Sequence, residues 1–370
     1  MDFLIEALSQ VTYKMVIMWI IGGTLIFLAI KYEMEPALLL PIGFGAILVN
    51  IPLSNVLTAN GEVGIISWLY EIGISTSEAL PILLFIGIGA MIDFEPLIVN
   101  PKLMILGAFA QLGIFLTIIL AALLGFSIND AAAIGIIGAA DGPTSILVAL
   151  KLGSKYVGPI MVVAYSYMAL VPIIQPAVIK CITTKKERLI RMEYKGKRVS
   201  KTVKILFPIV ITMVAGLIAP KSLALVGFLM FGNLLNECGV LGTLADTAKN
   251  TLCNLITLLL GITIAFQMQA DNFLSPETLM ILALGLFAFV FDTVGGVMCA
   301  KFINLFSKNK INPMVGAAGI SAFPMSARVV HKMGLKEDST NYLLMHAVGA
   351  NVSGQIASAI VGGLIIGLVL

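Results

Sequence analysis

The chain has 370 residues, of which 59% are hydrophobic and 12% charged, and its mean hydropathy is +1.03. A soluble globular domain needs a larger share of charged residues to cover its surface, so this class is excluded. The formal net charge of +3 is small, and no nucleic-acid partner is expected. We therefore expect a multi-pass membrane protein.

Two further classes of feature are not expected. Residues 1–13 carry Asp2 and Glu6 and lack the basic region of a cleaved signal peptide. The four cysteines have no CxxC spacing, which argues against zinc-binding and redox motifs.

A helix needs about 20 apolar residues to cross the hydrocarbon core of a bilayer. Twelve segments approach this length, six on either side of a basic stretch at 183–204. They are 15–31, 36–53, 79–98, 101–126, 129–152, 157–182, 205–219, 222–238, 250–269, 277–306, 311–334 and 340–369. We expect a first membrane repeat at 1–182, a basic cytoplasmic loop at 183–204 and a second membrane repeat at 205–370.

The two halves resemble each other in sequence. Three short matches keep the same order and a nearly constant offset, so one alignment with small insertions joins them. They pair 101–106 with 276–282, 138–140 with 316–318, and 151–153 with 332–334. Duplicated halves are typical of secondary transporters.

Segments 129–152 and 311–334 are rich in glycine and alanine, and each is interrupted near its middle. The first contains Asp141-Gly142-Pro143, and the second runs from Gly316 to Pro324. Proline removes a backbone donor and clashes with the preceding turn. The segments are either kinked helices or unwound backbone at membrane depth, which is tolerated where it faces protein or a water-filled cavity.

The distribution of Lys and Arg favours a topology with ten membrane crossings. If both interrupted segments are re-entrant, ten crossings remain, five in each half, and the halves are inverted. All but four of the 23 Lys and Arg residues then lie in the cytoplasm, the four being Lys14, Lys151, Lys155 and Lys221. Twelve crossings satisfy the positive-inside rule less well. We predict an all-α, transporter-like fold of two inverted repeats whose broken segments meet near the midplane.

Asp141 is the most informative residue because a carboxylate in an apolar segment costs about 2.5–3.5 kcal/mol. It could cap the half-helix that starts at Pro143, bind an ion or carry a proton, and these roles are compatible. Neutral oxygens for a hard cation come from Thr144, Ser145, Asn312, Ser321, Asn351 and Ser353. Since we expect no second intramembrane acid nearby, the pattern favours a monovalent ion.

Two other residues have competing interpretations. Tyr167, two residues after Tyr165, lies mid-span and is either a packing residue or a proton donor. Arg328 follows the second break and is either a cytoplasmic anchor or a clamp for an anionic group. We interpret His331 and His346 as structural or interfacial. The basic stretch 183–204 is most simply a cytoplasmic loop, although it could contact anionic lipid or an acidic partner.

Four motifs carry a family resemblance. They are Gly138-Ala-Ala-Asp-Gly-Pro-Thr144, Tyr165-Ser-Tyr-Met-Ala-Leu-Val-Pro172, Phe323-Pro-Met-Ser-Ala-Arg-Val-Val330 and Asn341-Tyr-Leu-Leu-Met-His346. With these motifs the chain resembles the beta subunit of the sodium-pumping, biotin-dependent decarboxylases, a family that includes the oxaloacetate, methylmalonyl-CoA, glutaconyl-CoA and malonate decarboxylases. The resemblance covers nearly the whole chain.

The resemblance implies an inner-membrane subunit that decarboxylates carboxybiotin and couples this to sodium export with consumption of a proton. It implies Na⁺ and biotin as cofactors. The implied partners are a carboxyltransferase subunit, a biotin carrier protein, a small gamma-type membrane subunit, membrane lipid and further copies of the chain in a homo-oligomer. The implied catalytic residues are Tyr167 and Arg328, with Arg328 also holding the carboxybiotin. The implied sodium ligands are Asp141, Asn312, Gly316, Ser321 and Asn351.

The chemistry fits this role because decarboxylation of carboxybiotin needs a proton to replace the lost carboxyl. Sodium arriving at an oxygen site can displace that proton. The alternative is a sodium- or proton-coupled transporter of a small anion on the same scaffold. A passive structural subunit is a third alternative, which Asp141 disfavours.

Overall fold

The computed structural model describes residues 8–33, 36–59, 61–193 and 199–370. Asp2, Glu6 and residues 194–198 of the basic stretch lie outside the described residues. Within them the regular elements are helices, and the only β pairing is an isolated bridge between Ala59 and Glu62. The predicted all-helical class is confirmed.

The first half of the chain contains ten helices among its described residues. They are α1 (Tyr13–Tyr32), α2 (Pro36–Val49), α3 (Ile65–Tyr70, continued by a π-helix over Glu71–Thr76), α4 (Ala79–Met91), α5 (Glu95–Val99), α6 (Leu103–Phe109), α7 (Leu112–Leu123), α8 (Ile128–Gly135, continued by a 3-10 turn over Ile136–Ala139), α9 (Gly142–Lys151) and α10 (Val157–Ile182). Helix α3 falls outside the twelve predicted segments.

The described remainder of the chain begins with a short helix in the basic stretch. The helices are α11 (Lys185–Arg188), α12 (Lys201–Ile218), α13 (Leu223–Glu237), α14 (Gly242–Asp246, continued by a π-helix over Thr247–Leu252), α15 (Cys253–Ile264, continued by a 3-10 turn over Ala265–Met268), α16 (Ala270–Phe273), α17 (Pro276–Phe306), α18 (Pro313–Ala317), α19 (Met325–Glu337) and α20 (Leu344–Val369).

Seven helical stretches within the described ranges are long and apolar enough to cross a membrane, and two of these stretches combine neighbouring helices, α6 with α7 and α14 with α15. They are Tyr13–Tyr32, Leu103–Leu123, Val157–Ile182, Lys201–Ile218, Gly242–Met268, Pro276–Phe306 and Leu344–Val369. Helices α3 and α4 pass the same test together but meet at a 73° bend. Each of the twelve predicted segments contains at least one helix, and the expectation of a multi-pass membrane protein is confirmed.

The segment that carries Asp141 folds back on itself. The Asn129 side-chain amide donates to the Leu152 carbonyl (2.9 Å). The Asp130 carboxylate accepts from the Ser154 hydroxyl (2.8 Å) and the Lys155 N–H (3.0 Å). Helices α8 and α9 therefore form a hairpin whose two ends lie together, as the re-entrant arrangement requires.

The second interrupted segment also starts and ends at one place. Asn312 precedes α18 and Asn341 follows α19, and both side-chain amides donate to the carbonyl of Arg188, at 2.8 Å and 3.2 Å. Helices α18 and α19 therefore form a second hairpin, which starts from the end of the molecule that holds residues 183–193. We call this end the basic end.

The ion pairs divide into two groups that agree with the ten-crossing topology. Those at the basic end are Arg188–Glu337, Arg191–Asp338, Lys204–Glu95 and Lys301–Glu187. Those at the opposite end are Lys14–Asp271 and Lys151–Glu78. None of these six pairs joins residues that the topology places on opposite sides. One of the acids at the basic end, Asp338, lies outside the membrane, and the Thr340 N–H and hydroxyl together with Arg191 hold the pKa of its carboxyl below the usual value.

The hairpin of α8 and α9 predicts a labelling pattern. In a variant without the native cysteines, Asn129→Cys and Lys151→Cys should both react with an impermeant thiol reagent from outside the cell, because the hairpin returns to the side it left. Lys185→Cys in α11 is the control and should react only from the cytoplasm. Labelling of the first two positions from opposite sides would contradict the re-entrant arrangement.

Candidate cation site at the two helix breaks

The backbone around Asp141 is non-helical for two residues. The 3-10 turn ends at Ala139, Ala140 has φ +52°, and Asp141 is extended with φ −125°. Helix α9 then starts at Gly142, with Pro143 in its first turn, where the missing N–H of proline costs no intrahelical hydrogen bond. A left-handed conformation costs an alanine about 1–2 kcal/mol. Surrounding contacts must therefore stabilise this break.

The Asp141 carboxylate is held by neutral donors from two elements. Its side chain is buried at 3% exposure. Oδ2 accepts hydrogen bonds from the Thr144 hydroxyl (2.7 Å), the Gln355 amide (3.0 Å) and the Ser358 hydroxyl (3.2 Å). Thr144 is in the first turn of α9, and the other two donors are on α20.

No cation neutralises this carboxylate in the described part of the chain, because none of the ion pairs includes Asp141. Hydroxyl and amide donors reduce the cost of a buried carboxylate but leave its net charge. A proton or a monovalent cation bound to the carboxylate would remove that charge. The arrangement therefore suits a site that exchanges one small cation for another.

The donors on α20 form a polar face that the sequence interpretation did not identify. Asn351, Gln355 and Ser358 are spaced by four and three residues, so they lie on one face of the helix. All three are buried. Polar residues at this spacing inside an apolar helix indicate a buried polar face, so the sequence alone could have identified Gln355 and Ser358.

The second break lies against the first. The Ser321 N–H donates to the Ala139 carbonyl (3.0 Å), so the tips of the two hairpins touch. The Ser321 hydroxyl donates to the Gly354 carbonyl (3.1 Å), and the Asn351 amide donates to the Ile320 carbonyl (2.7 Å). The Asn351 Oδ1 atom is buried and has no hydrogen-bond partner among the described residues. Two expected sodium ligands besides Asp141 thus lie where the breaks meet.

Asn312 and Gly316 lie in different surroundings. Asn312 caps α18, its Oδ1 accepting from the Met314 N–H (3.0 Å), and its amide bonds to carbonyls at the basic end. Gly316 packs against Gly296 of α17 so closely that a Cβ would overlap the Gly296 carbonyl. The structure does not bring the Asn312 side chain to Asp141, and it gives Gly316 a packing reason for being glycine.

Tyr165, rather than Tyr167, borders the first break. The Tyr167 hydroxyl donates to the Leu282 carbonyl in α17 (2.6 Å). The Tyr165 ring fills the space beside Gly142, where an added Cβ would overlap it. The Tyr165 hydroxyl is buried and has no hydrogen-bond partner in the part of the chain that the structure describes. The phenol beside Asp141 is therefore that of Tyr165.

Arg328 lines a cavity of about 690 Å³ at the basic end. The side chain is exposed, and it forms no ion pair with any other described residue. The cavity also contains the cations Lys180, Lys332 and Lys336, the acids Glu33 and Glu337, and an apolar wall that includes Pro172, Pro176, Met325, Val329 and Met333. Four cations against two acids make it suited to an anionic group.

A second acid, Asp292, is buried in the membrane core, and the sequence interpretation did not single it out. Asp292 in α17 is fully buried. A Cβ on Gly138, three residues before Asp141, would lie 2.5 Å from its Oδ2 atom. Asp292 carries the same sequence signal as Asp141, an isolated carboxylate in an apolar segment, but the sequence does not show that α17 packs against the first hairpin.

Comparison with known proteins gives one consistent result. A family model described as the Na⁺-transporting oxaloacetate decarboxylase beta subunit matches residues 14–369. The methylmalonyl-CoA decarboxylase subunit beta of Propionigenium modestum is 48% identical over 378 residues, covering 95% of this chain and 94% of the relative. The glutaconyl-CoA decarboxylase subunit beta of Acidaminococcus fermentans is 44% identical over 378 residues, covering 100% and 99%. The oxaloacetate decarboxylase beta chain 2 of Salmonella typhimurium is 43% identical over 412 residues, covering 96% and 95%.

The contact between Gly142 and Tyr165 gives a prediction about stability. Gly142→Ala should destabilise the protein by about 1–3 kcal/mol because the added methyl group overlaps the Tyr165 ring. The control is Gly23→Ala in α1, where a Cβ meets nothing within 4 Å. Thermal unfolding of the detergent-solubilised variants measures both. Equal stability of the two variants would show that the ring does not occupy this position.

Proposed function

The chain belongs to the family of Na⁺-transporting oxaloacetate decarboxylase beta subunits, and from this premise we propose that it decarboxylates carboxybiotin and couples that step to sodium export with proton consumption. The observation that carries the proposal is the buried Asp141 carboxylate, which lies where two hairpins meet and whose hydrogen-bond donors among the described residues are all neutral.

Sodium occupies the junction of the two hairpins in this proposal. Asp141 supplies the charge, and Ser321 and Asn351 supply neutral oxygens. The Oδ1 atom of Asn351 supports this assignment, since it is a buried oxygen to which no described residue donates a hydrogen bond. Asn312 and Gly316 act through position: Asn312 fixes the start of the second hairpin, and Gly316 fixes its approach to α17.

Sodium and a proton compete for the carboxylate of Asp141. Sodium entering the site converts the acid to its sodium carboxylate and releases the proton. That proton can replace the carboxyl group of carboxybiotin, so that biotin and carbon dioxide leave. Transfer of the proton through Tyr167 stays a prediction, and the unpartnered Tyr165 hydroxyl beside the break is a second phenol available to it.

Carboxybiotin docks in the cationic cavity at the basic end. The planar guanidinium of Arg328 matches the geometry of a carboxylate, and the exposure of Arg328 allows a carrier to present the group from solution. As a subunit of a multi-subunit decarboxylase, the chain requires others, and we assign these as a carboxyltransferase subunit, a biotin carrier protein and a gamma-type subunit in the inner membrane. The chain itself forms a homo-oligomer in this proposal.

Two inverted repeats are part of the proposal. Gln175 of α10 donates to the Ala317 carbonyl (2.8 Å) and the Ser326 hydroxyl (2.8 Å) of the second hairpin, whereas Gln355 of α20 donates to Asp141 of the first. The two glutamines are 180 positions apart in the chain, close to the offset of the three sequence matches. Each half thus supports the break of the other half, as expected for repeats that move against each other in alternating access.

A coupled transporter of a small anion remains the second candidate, because the cationic cavity suits such an anion equally well. The two candidates differ in whether carbon dioxide is released. Purified protein supplied with carboxybiotin and sodium should release carbon dioxide, and a transporter would only move the anion.

Asp141→Asn tests the sodium site. The variant keeps the size of the side chain and one acceptor but loses the charge, so sodium-dependent turnover should fall by about 100-fold or more. Ser321→Ala removes a neutral ligand and should weaken apparent sodium affinity about tenfold. Asp271→Asn, at an exposed ion pair, is the control. Normal sodium dependence in Asp141→Asn would place the site elsewhere.

Arg328→Lys separates decarboxylation from sodium binding. Lysine keeps the charge but not the planar fork, so carbon dioxide release should fall by about 10- to 100-fold while radioactive sodium still binds. Lys308→Arg changes an exposed cation that does not line the cavity and should have no effect. Wild-type carbon dioxide release by Arg328→Lys would show that the guanidinium does not hold the carboxyl group of carboxybiotin.

A further inference from the structure

One carboxylate oxygen of the second buried acid, Asp292, stabilises the start of helix α7. Its Oδ1 atom accepts from the Ile114 N–H (3.2 Å) in the first turn of α7. The first N–H groups of a helix have no partner within the helix and need one from outside. A Cβ on Gly113 would lie 2.7 Å from Oδ1, so the glycine makes room for this contact. An asparagine oxygen could accept the same hydrogen bond, so this contact with the start of α7 does not require an acid.

The other carboxylate oxygen of Asp292 stabilises no neighbouring group among the described residues. Oδ2 is buried without a hydrogen-bond partner among the described residues, and Asp292 belongs to none of their ion pairs. Oδ2 faces Gly138, whose missing side chain leaves it space. A buried carboxylate oxygen without a donor or cation is costly. Binding a proton there removes both the charge and the unsatisfied oxygen.

The surroundings contain few other charges. Helices α6, α7 and α18 carry no titratable side chain. The first hairpin carries Asp130, which is bonded to serines at its outer end, Asp141 and Lys151. Helix α10 contributes Tyr165 and Tyr167, with Lys180 and Cys181 at its basic end, and α17 itself carries Glu277, Cys299 and Lys301 outside its middle. Asp141 is thus the nearest acid along the hairpin that packs on Asp292.

We propose that Asp292 is a second proton-binding carboxyl of the membrane core, which takes up a proton at Oδ2 and releases it during the transport cycle. The ionised form is stabilised by the N-terminus of α7 through Oδ1, and the neutral form by burial. A proton suits this place better than sodium because the polar contacts of Asp292 are the backbone N–H groups of Gly113 and Ile114, whereas sodium needs several oxygens. The inference does not depend on the sodium site assigned to Asp141.

Infrared difference spectroscopy of the full chain in lipid tests this proposal. In an Asp141→Asn background, a pH titration should show a carboxylic-acid C=O band that disappears as pH rises. The additional change Asp292→Asn should abolish this band, whereas Asp271→Asn should leave it. A band that is absent at every pH, or constant across the range in which the protein stays folded, would overturn the proposal. Removal of the band by sodium at constant pH would reassign Asp292 as a sodium ligand and overturn the proton assignment.

Turnover gives a second readout. Asp292→Asn in the wild-type background should retain the cap on α7 and hence the thermal stability, but should change the pH profile of sodium-dependent turnover. An unchanged pH profile would leave Asp292 as a helix cap only. If this variant does not fold, labelling of Asp292 by a hydrophobic carbodiimide, read by peptide mass spectrometry, should increase at low pH. Labelling that is absent or independent of pH would contradict the proposal.

Discussion

The hydrogen bond from the Ser321 N–H to the Ala139 carbonyl joins two interrupted helices inside the bundle. Backbone that leaves a helix at membrane depth loses its internal partners, and there is no water in the hydrocarbon to replace them. Each break is therefore viable only because the other break, and the helices around both, supply donors and acceptors. The meeting of the hairpins is thus a condition for folding and also creates the candidate site.

Helices α10 and α20 supply most of those partners. Gln175 reaches the second break, and Gln355 reaches the first. Asn351 bonds to the Ile320 carbonyl from the same face of α20 that carries Gln355. Because α20 contacts both breaks, a cation that changes the contacts of Asp141 also acts on the helix that holds Ser321 through Gly354. This shared helix is a physical route by which occupancy could change the relation between the hairpins.

Charge is arranged in layers across the molecule. Asp141 and Asp292 lie in the interior, and no cation of the described chain forms an ion pair with either, whereas the ion pairs lie at the two ends and the cavity around Arg328 lies at the basic end. Interior acids without a paired cation favour uptake of protons or metal cations. The cavity favours anions. Such a separation suits a protein that couples an anionic group at one end to cation movement through the core.

The sequence by itself determined the membrane class, the twelve apolar segments, the two breaks and the importance of Asp141, because length, hydropathy, proline and an isolated carboxylate are local properties. It also placed Ser321 and Asn351 at a common site. Only the tertiary structure decided that Gln355 and Ser358 hold Asp141, that Tyr165 borders the break, that Asn312 lies at the basic end, and that Asp292 faces Gly138. These are contacts between segments far apart in the chain, and which faces of apolar helices meet depends on packing, since apolar residues on every side leave no periodic signal of orientation.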